Sequence, residues 1–306
     1  MLYDNNISKT EFLFEKNGVS VSVKREDLLH VHVSGNKFRK LKYNLFEAQK
    51  QNKETLLTFG GAYSNHIVAT AFAGKLFGIK TIGVIRGEEL GEDLVHTLAT
   101  NPSLKFASEQ GMTFHFVTRS AYREKTTATF VENLKNKFGD FYLVPEGGTN
   151  QLAIKGCEEI LTKEDENFDY ICSGIGTGGT ISGIINSTKS HQKVLGFPAL
   201  KGNFHHKEIA KYVGTKTNWE LIDDYHFGGF AKINEELVSF INSIKQNYGL
   251  ALDPIYTAKM LFGINDLIEK KHFKKGTKIL AVHTGGLQGV EAMNIRLKKK
   301  GQVLID

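Results

Sequence analysis

The stretch that most narrows what this chain can fold into is Cys172-Ser173-Gly174-Ile175-Gly176-Thr177-Gly178-Gly179-Thr180-Ile181. An apolar run from Phe168 to Cys172 leads into it, and a small-residue helical pattern through Ile181, Ile184 and Ile185 leads out. A strand that turns on glycines into a helix aims its backbone N–H groups from the helix start at an anion. The spacing therefore predicts a phosphate cup, with Gly176, Thr177, Gly178, Gly179 and Thr180 as its binding residues. Gly174, Gly176 and Gly179 also match the dinucleotide fingerprint, which calls for an acidic residue about 20 positions later to hold a ribose hydroxyl. After Asp169 the next acid is Glu208, and no Gly-Lys-Ser/Thr follows to make a Walker loop. A bare strand-to-helix turn does not need three glycines and two threonines.

The same punctuation recurs along the chain. Gly60-Gly61, Gly147-Gly148, Gly178-Gly179 and Gly285-Gly286 each follow an apolar strand-like run and precede a helical pattern. Between the first two pairs lie strand patterns at Lys80 to Ile85, Met112 to Val117 and Phe141 to Val144. Helical patterns alternate with them, around Glu92 to Leu98 and from about Ala121 to Phe138. Phe12 to Val23 alternates around Asn17-Gly18 as a hairpin does. The expected fold class is α/β, with two doubly wound parallel-sheet domains: a smaller unit over 42–146 inserted into a larger one made of 1–41 and 147–306. Ligands of open parallel sheets bind outside the carboxyl ends of the strands, so the cleft between the units is the expected site.

The formal net charge of +6 raises nucleic acid as a partner, but the basic clusters Lys271 to Lys275 and Arg296 to Lys300 fall at predicted helix ends, where cations complement the dipole. No nucleic-acid module accompanies them, and no nucleic-acid or membrane partner is expected. The two cysteines, Cys157 and Cys172, sit in apolar patterns as packing residues. With no signal-peptide pattern, no long apolar span and no disulfide framework, a cytoplasmic protein is expected. No residue cluster calls for a metal.

Lys37 lies where Ser34-Gly35-Asn36 runs into a helix with apolar spacing Leu41, Leu45, Ala48, and Arg39 and Lys40 are its near neighbours. Burial or an adjacent cation lowers a lysine pKa and frees the amine as a nucleophile. A phosphate cup without ribose recognition, an activatable lysine and hydroxyl-bearing helix starts around one cleft are the parts that pyridoxal phosphate chemistry needs. Ser34-Gly35-Asn36-Lys37-Phe38-Arg39-Lys40, Gly60-Gly61-Ala62-Tyr63-Ser64-Asn65-His66 and Asp253-Pro254-Ile255-Tyr256-Thr257-Ala258-Lys259 resemble the 1-aminocyclopropane-1-carboxylate deaminase and D-cysteine desulfhydrase family. That family belongs to the tryptophan-synthase-β fold type of pyridoxal phosphate enzymes. The cup itself is similar to that of cysteine synthases, and the resemblance covers nearly the whole chain.

The resemblance implies pyridoxal 5'-phosphate as cofactor and a small amino acid as substrate, in a homodimer. Lys37 would carry the cofactor covalently and move the proton at Cα, and Asn65 would bond the phenolic oxygen of the ring. Ser64 would lie at the substrate carboxylate or assist proton transfer, and Tyr256 would face the substrate. Taken alone, Ser64 and Asn65 also read as a helix cap and Tyr256 as a core aromatic. Two departures bear on the reaction. The deaminase's glutamate at the pyridine nitrogen is Thr257 here, and Thr284 stands where β-eliminating relatives place a hydroxyl. A hydroxyl does not hold a protonated pyridinium as a carboxylate does. The expectation is β-elimination from a D-cysteine-like amino acid to an α-keto acid and ammonia. The alternatives are an aminocyclopropane carboxylate deaminase, a cofactor-binding protein without turnover, and an NADP-linked oxidoreductase with Lys201 on the 2′-phosphate. Phe230 falls near a position where the family often has an active-site tyrosine, with Tyr225 and His226 as other sources of a polar group.

Overall fold

The computed structural model describes Tyr3, residues 7–202 and residues 204–306. It opens with the expected hairpin, β1 (Thr10–Lys16) and β2 (Val19–Lys24), antiparallel to each other. Asn17 and Gly18 take φ of 54° and 76°, the two positive values that a right-twisted two-residue turn requires. Next come α1 (Asn36–Lys50), β3 (Thr55–Gly61), α2 (Asn65–Phe77) and β4 (Lys80–Arg86). They are followed by α3 (Leu94–Thr100), α4 (Pro102–Glu109), β5 (Thr113–Val117), α5 (Arg119–Arg123), α6 (Ala128–Phe138) and β6 (Tyr142–Val144). Strands β3 to β6 form one all-parallel sheet in the order β5-β4-β3-β6.

The second series is α7 (Gln151–Cys157), β7 (Tyr170–Ile175), α8 (Gly179–Ser187), β8 (Lys193–Pro198), α9 (Phe204–Ala210) and β9 (Trp219–Leu221), then α10 (Glu235–Tyr248), α11 (Thr257–Glu269), β10 (Lys278–Val282) and α12 (Gly289–Lys299). Its sheet runs β1-β2-β10-β7-β8-β9, parallel except at β1. Strand β10 lies between β2 and β7, so the first hairpin and the last strand share one sheet.

Alternation along the strands distributes their side chains to two covered faces. On β10, Ile279 and Ala281 pack with Leu237, Leu261 and Ile264 of α10 and α11, while Leu280 and Val282 pack with Ile181, Ile184 and Ile185 of α8. On β3, Leu57 and Phe59 join Leu134 of α6, and Leu56 joins Ala69 and Ala73 of α2. Each of the leucine, isoleucine, valine and phenylalanine side chains among these, fully buried, stabilises the fold by roughly 1.5–3 kcal/mol.

The single helix expected over Ala121 to Phe138 is two helices, because threonine hydroxyls cap two starts: Thr118 accepts the Ala121 N–H and Thr127 accepts the Phe130 N–H. Likewise α3 ends at Asn101, which precedes Pro102 in extended backbone and caps α4 through the Leu104 N–H. No described helix is long and apolar enough to cross a membrane.

Helix α1 packs between α2 and α7. Phe38, Leu41, Leu45 and Ala48 face the cluster built on Leu56, Ala69 and Ala73. Its polar side carries Arg39, which is buried and donates from Nε and Nη2 to the Glu26 carboxylate at 2.8 and 2.7 Å. Two glycines then stack α1, α7 and α8 closely. A Cβ at Gly156 would stand 2.0 Å from the Arg39 carbonyl oxygen, and one at Gly183 would stand 2.7 Å from the Ile154 carbonyl oxygen. Those approaches fix the helix bearing Lys37 against the helix that starts in the cup.

Candidate active site

The Gly-Gly pairs at 147–148, 178–179 and 285–286 come together around the start of α1. At the start of α1, Gly35 has φ 59° and ψ −138°, and a Cβ there would stand 1.9 Å from the carbonyl oxygen of Thr284, just beyond β10. Only glycine suits this backbone and this approach. The Asn36 N–H donates to the same carbonyl at 3.1 Å. The Asn36 side chain then joins the lysine to the cup: Nδ2 donates to Thr180 Oγ1 at 2.9 Å, and Oδ1 accepts from Lys37 Nζ at 3.0 Å. Burial, and next the like charge of Lys40, lower the pKa of Lys37 to about 7. A large fraction of its amine is therefore free at neutral pH.

Lys40 stands one turn further along the same face of α1 and is buried. Its Nζ donates to Gly147 O at 3.0 Å, Thr149 Oγ1 at 3.1 Å and Thr177 Oγ1 at 3.3 Å, all neutral acceptors. Thr149 and Thr177 share a further hydrogen bond of 2.6 Å. Gly178 takes φ 84° to start α8, and no side chain caps that start. The cup thus has two rims, Gly147 to Thr149 and Thr177 to Thr180, bridged by an ammonium. Sequence reading took Lys40 only as a neighbour that tunes Lys37 and gave no role to Thr149. The i, i+3 spacing of the two lysines and the threonine after Gly147-Gly148 were the available signals.

Ser64 caps α2, accepting the His66 N–H at 3.2 Å, which leaves its hydroxyl proton free to donate. Asn65 follows, and a Cβ on Gly286 would stand 2.6 Å from Asn65 Nδ2, so this amide faces the strand end after β10. His66 is buried, and its tautomer follows from its neighbours. The Thr58 hydroxyl donates to Val144 O at 2.8 Å, so Nε2–H donates to Thr58 Oγ1 at 2.7 Å and Nδ1 is a bare acceptor without a partner. Burial and the charges of Lys37 and Lys40 hold it neutral.

Tyr256 and Thr257 enter at the start of α11. Asp253 caps this start: Oδ1 accepts the Ile255 and Tyr256 N–H groups at 3.0 and 2.8 Å, and Oδ2 accepts that of Thr257 at 2.8 Å. Tyr256 lies against the cup strand. A Cβ on Gly174 would stand 3.0 Å from Tyr256 Cβ, and one on Gly176 would stand 3.1 Å from its ring and hydroxyl. Thr257 is buried with its hydroxyl unpartnered, and Thr284 is buried as well. Phe230 is half exposed, with its ring 6.4 Å from that of Tyr256. Tyr225 is a core residue: it is buried in the cluster around α10 and α11, and its hydroxyl donates to Asp266 Oδ2 at 2.7 Å. The alternative that it supplies a polar group to the cleft does not hold.

These residues fit pyridoxal phosphate on their own terms. Together they offer a free amine on Lys37, an ammonium on Lys40 among neutral acceptors, an uncapped helix start, and buried Thr257 and His66 atoms that lack partners. Among the described residues no group of histidine, cysteine and acidic side chains could hold a metal ion.

Comparison with known proteins agrees. Residues 4–285 match the family model described as "Pyridoxal-phosphate dependent enzyme". The chain is 33% identical over 311 residues to a Thermotoga maritima protein named "Putative 1-aminocyclopropane-1-carboxylate deaminase", covering 93% of this chain and 94% of that one. It is 31% identical to the Arabidopsis thaliana protein named "Bifunctional D-cysteine desulfhydrase/1-aminocyclopropane-1-carboxylate deaminase, mitochondrial", covering 90% and 74%. A crystal structure described as that of an ACC deaminase homologue superposes with a TM-score of 0.80 at 28% identity, covering 96% of this chain and 95% of that one.

Proposed function

We propose, for a chain that belongs to the pyridoxal-phosphate dependent enzyme family, a β-eliminating deamination of a small amino acid of the D-cysteine kind. D-cysteine and water would give pyruvate, hydrogen sulfide and ammonia. Bound pyridoxal phosphate supplies the electron sink that draws off the pair left when a proton leaves Cα. Lys40 and the cup of Gly176, Thr177, Gly178, Gly179 and Thr180 would hold the phosphate, and Asn65 the phenolic oxygen. Lys37 would hold the cofactor's aldehyde carbon and, as a free amine near neutral pH, take the proton from Cα. Ser64 would bind the substrate carboxylate with its free hydroxyl proton, and Tyr256 would line the substrate side.

One observation carries the choice of reaction. Thr257 has a hydroxyl where the ring-opening enzymes of the family it resembles have a carboxylate, and that hydroxyl is buried and unpartnered. The nearby Asp253 carboxylate is committed to three backbone N–H groups. Thr257 and Thr284 would leave the pyridine nitrogen without a carboxylate partner and give a weaker sink, enough where a good leaving group departs from Cβ. The same residues admit a second reading, ring opening of 1-aminocyclopropane-1-carboxylate, which the name of the Thermotoga maritima relative supports, while that of the Arabidopsis thaliana relative carries both activities.

Keto-acid and sulfide release from D- and L-cysteine, D-serine, β-chloroalanine and aminocyclopropane carboxylate separates these readings. The expected result is sulfide and pyruvate from D-cysteine, with little opening of the cyclopropane. Ready ring opening with D-cysteine untouched overturns the choice, and no keto acid from any of them makes the chain a cofactor-binding protein. A division into 1–41 with 147–306 and an inserted 42–146, and a homodimer, belong to the same reading. So does a cytoplasmic location, which suits two buried free thiols, Cys157 and Cys172.

A further inference from the structure

Lys259 lies on α11, three residues beyond Tyr256, and is 1% exposed. Its Nζ donates to His226 O at 2.8 Å and Gly229 O at 2.9 Å. Those two carbonyls are the first residues of two successive tight turns, since Gly229 N–H bonds His226 O at 3.0 Å and Lys232 N–H bonds Gly229 O at 3.1 Å. The double turn is strained backbone. Phe227 and Ala231 both have φ of 54°, and Gly228 and Gly229 have φ of 91° and 118°. A non-glycine residue in the left-handed region is strained, and such backbone persists where its surroundings hold it. The two hydrogen bonds from Lys259 Nζ hold both carbonyls of this strained backbone. Arg296 adds one weaker tie, from Nη1 to Ala231 O at 3.2 Å. Phe230 rides on the double turn, half exposed, beside the Tyr256 ring.

We propose that Lys259 is a positioning residue that clamps the 226–232 double turn to α11 and so fixes Phe230 against Tyr256 as an apolar wall of the substrate side of the cleft. The wall admits a short side chain and offers its leaving group no hydrogen bond from this direction. The proposal rests on the reading of Tyr256 as substrate-facing.

The test uses the cofactor-loaded protein and three variants, Lys259→Met, Phe230→Ala and the two combined. Trypsin should cut after the exposed Lys232 about ten times faster or more in Lys259→Met than in the parent, because the turn opens without its clamp. The same variant should raise KM for D-cysteine about five-fold or more while kcat changes less than about three-fold. Because Lys259 acts through Phe230, the double variant should show a KM no higher than the worse single variant. Unchanged cleavage and KM in a folded Lys259→Met, or KM effects that multiply in the double variant, overturn the clamp. If Lys259→Met does not fold by circular dichroism, Lys259→Leu, which likewise has no donor, is read in the same way. The trypsin arm needs no substrate, so a wrong amino-acid class leaves it standing, whereas unchanged cleavage removes the clamp alone.

Discussion

The Lys37 amine is open to a direct test in cofactor-free protein. An ordinary lysine titrates near 10.4, and holding Lys37 at about 7 corresponds to about 5 kcal/mol against the protonated form, at about 1.4 kcal/mol per pH unit. At pH 8 roughly nine in ten Lys37 side chains would be free amine, against about one in 250 for an ordinary lysine. Trace acetylation across pH, with the Lys37 peptide quantified by mass spectrometry against that of the exposed Lys207, reads this fraction. The expected Lys37 midpoint lies near neutrality. Lys40→Met removes the second cause and leaves burial, the larger one, so the midpoint should rise but stay below about 9. A parent midpoint near 10 would refute the reasoning, and so would a variant that returns fully to ordinary behaviour. Stability gives a second readout with a definite sign. Above pH 7 the unfolded chain still binds the proton that folded Lys37 has lost, so stability rises with pH from about 7 to 9. Lys259, lowered to about 8 by burial, adds in the same direction, and urea midpoints across that range should climb.

Two further outcomes follow from the geometry. Gly35→Ala forces a Cβ to 1.9 Å from a backbone oxygen at a positive φ, so it should cost about 3 kcal/mol or more in urea unfolding; a loss under about 1 kcal/mol would show that the α1 start yields easily. Lys40→Met should weaken pyridoxal phosphate binding about 10- to 100-fold, since a hydrogen bond to a charged group contributes roughly 1.5–3 kcal/mol, and equilibrium titration by cofactor fluorescence would detect an unchanged affinity.

Much of this was legible in the residues because local chemistry and fold agree. Four Gly-Gly pairs after apolar runs marked strand ends, and Asn17-Gly18 marked the hairpin. Lys37 stood out because a glycine turn and two basic neighbours are unusual before an apolar helix. What escaped was long-range. Nothing local says that Lys40 will reach Thr149 and Thr177, more than 100 positions away, because that bond depends on how α1 stacks on α7 and α8. Tyr225 read as a candidate polar group because its partner Asp266 lies on another helix. The helix break before Ala128 lies in the polar run Arg123 to Thr127, where the signal that starts the second helix is a single hydroxyl, the Thr127 cap.

The glycines of the cup carry a second meaning that bears on how relatives diverge. Gly174 and Gly176, two of the three positions that imitate a nucleotide fingerprint, are bare where the ring and backbone of Tyr256 lie against them. Part of that pattern is thus the imprint of an aromatic neighbour some 80 residues downstream. Positions 174, 176 and 256 should then drift together over evolutionary time. A lineage that shrinks the side chain at 256 frees position 176 to gain a methyl group, and a lineage that keeps the tyrosine keeps the glycine, whatever amino acid it consumes.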